Sequence, residues 1–196
     1  MTDRSSETAE RVLLEAAALF REKGFASAST RELADRLGMR GASLYYHFKN
    51  KEDLLYRVCV RSMTTVRTRV DEVLDPRLPV RERLRAMVGR HVITLLEQRD
   101  LHTPMLTQLA ELTPVWRDDI LRRRREYEQL FTDQIVLGQR EGVIRTDLTA
   151  ELLTLSLFNL LNWTVFWYNP EKDQTPQELA DMFVSVFFDG AGSAPS

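Results

Sequence analysis

Residues 24–55, GFASASTRELADRLGMRGASLYYHFKNKEDLL, carry the pattern that decides the fold. Ser29-Thr30-Arg31-Glu32 has the form of a capping box, with Ser29 as N-cap and Glu32 three residues on. It predicts a short helix through Leu37, stopped at Gly38, where glycine is free to take a left-handed conformation. A second short helix is predicted over about Gly41 to Phe48, and a long one from near Lys51. Leu33, Ala34, Leu37, Met39, Leu44 and Phe48 supply a small internal core, and the short side chain of Ala34 lets the second helix come close. Two helices held at a steep angle by so short a turn make a helix-turn-helix, which lays the N-terminal half of its second helix in a DNA major groove.

The polar residues around this core suit that role. Arg31 and Arg40 can reach guanine edges or phosphates, and Ser43 can donate to either. Gly41 and Ala42 let the backbone approach closely. Tyr45, Tyr46, His47 and Lys51 offer donors for the phosphate backbone beside the groove, and Lys51 opens a helix whose free N–H groups also favour an anion. The net charge is only −2, yet Arg31 to Arg69 holds nine basic residues against four acidic ones. A basic N-terminal stretch on an acidic body suits a protein that turns one end towards phosphate.

Working outward, the rest of the 196 residues also reads as helix, with no sustained period-two alternation. A first helix is expected from about Ser6 to Lys23, with Val12, Leu13, Ala16, Ala17, Leu19 and Phe20 on one stripe and Gly24 as its stop. The long helix from Lys51 is expected to run to Asp75, where Pro76 and Pro79 close it. Further helices are predicted at 80–98, 101–111, 115–141, 149–168 and 176–188. The expected division is a helix-turn-helix domain at 1–50, a connecting helix at 51–79, an effector-binding and dimerisation domain at 80–190, and a short tail at 191–196.

The fold class is therefore all-α. The polar, acidic start does not read as a signal peptide, and Cys59, the single cysteine, excludes an internal disulfide. The uncharged run 152–168, LLTLSLFNLLNWTVFWY, is short for a membrane span and holds Ser156, Asn159 and Asn162, so it reads as a helix buried on both sides. A cytoplasmic protein with no membrane partner is expected.

Residues 8–56 resemble the TetR family of transcriptional regulators, most specifically through Ser43-Leu44-Tyr45-Tyr46-His47-Phe48-Lys49-Asn50-Lys51-Glu52. The resemblance implies that Thr30, Arg31, Arg40, Gly41, Ala42, Ser43, Tyr45, Tyr46, His47 and Lys51 face a DNA operator. Arg40 departs from the family, which more often caps this helix with Ser or Thr; the change weakens the cap and adds a possible base contact. The resemblance also implies a homodimer reading a palindrome, its seam formed by one face of 152–168 and by Leu179, Met182, Phe183, Val186 and Phe187. Two reading helices spaced about 34–36 Å apart supply the specificity that one lacks.

For the effector, Leu101, Met105, Leu109, Leu112, Trp116, Tyr127, Phe131, Phe158, Asn162, Trp163 and Phe166 can enclose a mainly apolar pocket, although each also reads as ordinary core. The run from Leu161 to Pro170 resembles TetR-type regulators of fatty-acid and sterol catabolism, which implies an acyl-CoA effector. Arg122 to Arg125 can meet its phosphates or simply lie on a solvated helix face. Another hydrophobic ligand, or none, stays open. No cofactor or metal is expected, since His47, His91 and His102 are scattered and no catalytic motif is present, which speaks against an enzyme.

Overall fold

The computed structural model describes residues 3–172 and 174–191, and side chains within 5–172 and 174–188. The expected tail, from residue 192 on, lies outside the described residues. In chain order the elements are α1 (Asp3–Ser27), α2 (Thr30–Arg36), α3 (Gly41–His47), α4 (Lys51–Asp71), α5 (Val80–Glu97) and α6 (Arg99–Thr107). A 3₁₀ turn (Leu109–Glu111), α7 (Pro114–Arg140), α8 (Ala150–Asn162), α9 (Thr164–Trp167) and α10 (Pro176–Ala191) follow. Every regular element among the described residues is helical, and none of these helices is long and apolar enough to cross a membrane.

The chain packs as two units, Met1–Thr64 with Gln98–Arg122 and Thr65–Glu97 with Arg123–Ser196. In the first, Val12, Ala16, Ala17, Leu19 and Phe20 of α1 are buried, as the stripe predicts. Gly24 leaves the helical path at φ 76°, and Phe25–Ser27 make one further turn before α2. α1 packs on α6 and α2, and α2 on α3. Gln108 donates from Nε2 to the Phe20 carbonyl at 2.9 Å. Leu54, Leu55, Val58 and Cys59 of α4 are buried. Burial alone pushes the Cys59 thiol up to about 12, as suits a small core hydrophobe.

In the second unit α10 packs against α5 and α8, burying Leu84, Met87, Val92 and Leu95 together with Leu179, Phe183 and Phe187. The guanidinium of Arg83, itself buried, donates to the carbonyls of Pro76 (2.9 Å) and Leu78 (2.8 Å) and to Gln134 Oε1 (2.6 Å), so it ties the turn before α5 to α7.

Three boundaries differ from expectation for local reasons. α4 ends at Asp71, four residues early. Val73 and Leu74 make tightened i→i+3 bonds, and Pro76 disfavours a helical Asp75. The helix expected over 101–111 runs instead from Arg99 to Thr107, with Pro104 inside it at the loss of one hydrogen bond, and the 3₁₀ turn follows. The helix expected over 149–168 breaks at Trp163, where the Thr164 hydroxyl takes the Leu161 carbonyl at 2.6 Å.

Candidate functional site

The helix-turn-helix is built largely as its residues dictate. Ser29 Oγ accepts the Glu32 N–H at 3.1 Å, which is one half of the capping box. The Glu32 carboxylate turns instead to Lys23 (2.6 Å) and Arg36 (3.2 Å), so the expected reciprocal bond is replaced by an ion-pair cluster. Gly38 adopts φ 63°. Around it Met39 N–H reaches the Ala34 carbonyl (2.9 Å) and Gly38 N–H that of Asp35 (3.1 Å), the two bonds of a Schellman stop. Leu33, Ala34, Leu44 and Phe48 are buried at 2–5% exposure, while Leu37 and Met39 are half-buried. Arg40 caps α3 without a side-chain bond, as its chemistry predicts.

A second cap, at the start of α4, fixes the turn that follows α3. Asn50 Oδ1 accepts the Asp53 N–H (2.7 Å) and the buried Asp53 carboxylate accepts the Lys49 N–H (2.9 Å). Sequence reasoning missed this pair, although Asn followed by Asp three residues on is its ordinary signal.

Thr30, α2's first residue, shares a 3.0 Å hydrogen bond with the Tyr45 hydroxyl, which links the two helices at the surface. Arg31, Arg40, Gly41, Ala42 and Ser43 are exposed beside Tyr45 (53%) and Tyr46 (82%), and Tyr46 stands edge-on to half-buried His47. The charge pattern is uneven. Lys23, Arg36, Arg57 and Arg61 are neutralised by carboxylates. Arg31, Arg40 and Lys49 form no ion pair among the described residues, and Lys49 was not foreseen in this role.

Lys51 is placed differently from the exposed basic residues. Its ammonium donates to the carbonyls of Phe25 (2.7 Å), Ala28 (3.0 Å) and Ala26 (3.4 Å) and lies 4.3 Å from the Phe25 ring centroid. It is half-buried and holds the end of α1, with its donors turned away from solvent phosphate.

The residues expected to line one effector pocket divide. Met105, Leu109, Leu112 and Trp116 belong to the first unit, as does Leu101, and there Trp116 stacks on Tyr56 at 5.0 Å. Tyr127, Phe131, Phe158 and Asn162 come together in the second unit around His91, which the sequence did not place there. Its Nδ1 lies 2.8 Å from the Tyr127 hydroxyl and its Nε2 3.2 Å from Asn162 Oδ1. Phe158 and Phe131 meet the imidazole edge-to-face at 5.3 and 6.3 Å. Burial holds the His91 pKa down to about 4, partly offset by the Asn162 bond, and pushes the Tyr127 phenol well up.

Trp163 and Phe166 do not join this cluster; they are 64% and 44% exposed and pair with each other at 4.8 Å. An open groove of about 590 Å³ between α5 and α10 is lined by Val73, Arg85, Gly89, Ile93 and Asp181, and by none of the expected residues. Of the expected seam, Leu179, Phe183 and Phe187 face the core, because they are the stripe with which α10 packs on its own unit. The exposed apolar positions are Met182 (43%) and Val186 (54%) on α10 and Leu152 (47%) and Leu155 (52%) on α8. Arg124 pairs with Glu128 and Arg122 with Asp119, as a solvated helix face would have them.

A helix-turn-helix with an exposed, unpaired basic edge, joined to a larger helical unit with its own aromatic core, defines a DNA-binding regulator. Residues 12–58 match the family described as bacterial regulatory proteins, tetR family, and residues 77–191 match the tetracyclin repressor-like, C-terminal domain. The chain belongs to the TetR family, whose members are transcriptional regulators and not enzymes.

It is similar to the helix-turn-helix-type transcriptional repressor KstR2 of Rhodococcus jostii, with 25% identity over 190 residues that cover 91% of this chain and 88% of that one. The crystal structure of the TetR regulator PfmR from Thermus thermophilus matches at TM-score 0.85 and 27% identity, over 91% of this chain and 97% of that one. AibR, solved in complex with isovaleryl coenzyme A and operator DNA, matches at TM-score 0.85 and 25% identity, over 92% and 97%.

Proposed function

We propose that this TetR-family chain is a ligand-responsive repressor that binds a palindromic operator as a homodimer and is released by a hydrophobic small molecule of the acyl-CoA class. The observation that carries the reading is the unpaired basic edge of the helix-turn-helix. Carboxylates hold Lys23, Arg36, Arg57 and Arg61, whereas Arg31, Arg40 and Lys49 stay available beside Ser43, Tyr45 and Tyr46. Arg40 and Arg31 read base edges. Thr30, Tyr45, Tyr46, His47 and Lys49 hold phosphates, and Gly41, Ala42 and Ser43 set the approach. Lys51 acts indirectly, by fixing α1 against the start of α4.

Residues 1–50 serve as the reader, 51–79 as the connector and 80–190 as the effector-binding and dimerisation part, with 191–196 as a tail. The exposed Leu152, Leu155, Met182 and Val186 form the dimer seam, and the protein acts in the cytoplasm. The acyl-CoA class is supported by AibR's bound isovaleryl coenzyme A and by similarity to the fatty acid metabolism regulator protein of Bacillus subtilis, 22% identical over 144 residues.

Fluorescence anisotropy on the protein's own upstream intergenic DNA, at about 0.15 M salt, tests the reading. Selective binding over a scrambled duplex is expected, at the ~10³-fold or greater ratio usual for specific sites. Equal affinity for both duplexes contradicts it.

A further inference from the structure

His91 is a buried titratable group that operator binding does not use, and its surroundings specify what it can recognise. With Asn162 presenting its oxygen, the imidazole carries its proton on Nε2, and Nδ1 accepts from the Tyr127 hydroxyl. Tyr127, His91 and Asn162 thus form an uncharged chain, 2.8 Å at the inner link and 3.2 Å at the outer one. Among the described residues no charged side chain hydrogen-bonds to any of the three. Arg67, whose charge reaches Tyr127, is held by Asp71 at 2.7 Å.

Only Asn162 reaches outward. It is half-buried, it closes α8 beside exposed Trp163, and its amide hydrogens have no partner among the described residues. The longer outer link is therefore the one a ligand can replace.

We infer that Asn162 and His91 form the polar subsite of the effector site, that this subsite takes an uncharged acceptor such as the carbonyl of an ester or thioester on an apolar chain, and that it rejects a carboxylate. The inference rests on the reading of this aromatic cluster as the effector region. A carbonyl oxygen accepts from the Asn162 amide and can take over the His91 Nε2–H. A carboxylate brings a full charge to a place that offers no cation, and charging His91 to meet it works against complete burial.

The test uses full-length protein at pH 7.5 and three probes of one chain length: methyl decanoate, decanoyl-CoA and sodium decanoate. Affinity is read from tryptophan fluorescence, and the His91 Nε2–H is followed by NMR in ¹⁵N-histidine-labelled protein. The ester and thioester are expected to bind at least ~10-fold tighter than the acid, and methyl decanoate is expected to shift the His91 signal. Asn162→Leu should weaken the ester about fivefold to tenfold and narrow its lead over the acid, with Asn162→Gln recovering part of both. Decanoate binding as tightly as the ester, an unmoved His91 signal, or an unchanged lead in Asn162→Leu would overturn the inference. Operator release by the acid alone would keep the repressor reading and sink the subsite. No binding of any probe by protein that still holds operator would overturn the subsite and the effector half of the reading together.

Discussion

Around α3 the chain buries its carbon and leaves charge on show, with Arg31, Arg40 and Lys49 unpaired beside exposed Tyr45 and Tyr46. In the second unit the arrangement reverses. There the hydrogen-bonding groups of His91 and Tyr127 are buried among aromatic edges, while Leu152, Leu155, Trp163 and Val186 stand in solvent. The contrast follows from what each surface has to meet. A partner of fixed negative charge is met by exposed cations, whose attraction acts over a Debye length. A small ligand that must be told from its relatives is met by a few buried polar groups, where each unmet hydrogen bond costs the most.

The largest effect expected from breaking this comparison is on the exposed carbon. Leu155→Glu with Val186→Glu should yield monomers by light scattering and weaken operator binding by ~10²-fold or more, because two linked half-sites become one. Dimers that persist with full affinity would place the seam elsewhere.

Next comes the buried imidazole. In the fold His91 stays neutral down to about 4, whereas its ordinary pKa is 6.5. The unfolded chain therefore takes up that proton first as pH falls. The stability tied to His91 is fully present above pH 6.5 and is lost between 6.5 and about 4, by about 3 kcal/mol at ~1.4 kcal/mol per pH unit. Urea unfolding from pH 7.5 to 4.5 should show a shallower loss in His91→Phe than in the native protein. Parallel curves would deny His91 its neutral, buried role.

Arg40→Ala should weaken operator binding by about 1–3 kcal/mol and relax preference at one base position. The same change at Arg61, already paired with Glu10 at 2.9 Å, should alter affinity less than twofold or so. Equal losses at both positions would erase the distinction between paired and unpaired cations. The smallest effect separates structure from contact: Lys51→Met should lower stability by about 1–2 kcal/mol in denaturant titration and leave the salt dependence of operator binding unchanged. A flatter salt slope with full stability would return Lys51 to the phosphates.

The helix-turn-helix was legible because its determinants are local. Ser29, Gly38 and Ala34 each act on neighbours within a few residues, and all three behave as their chemistry dictates. The Lys51 contacts were not legible because its partners, Phe25 to Ala28, lie over twenty residues back and are backbone carbonyls, which leave no mark in a sequence. His91 was invisible for the same reason, its partners standing 36 and 71 residues away. On α10 the apolar run is so dense that periodicity alone could not divide the inward Leu179, Phe183 and Phe187 from the outward Met182 and Val186. The break at Trp163 turns on one hydroxyl, Thr164, competing for a helix carbonyl.

The most direct test of the account adds decanoyl-CoA to the preformed protein–operator complex, with DNA followed by anisotropy and ligand binding by tryptophan fluorescence in the same sample. The account predicts that anisotropy falls to the free-DNA value over the range in which the thioester binds. A complex that stays intact while the thioester saturates the protein would contradict it.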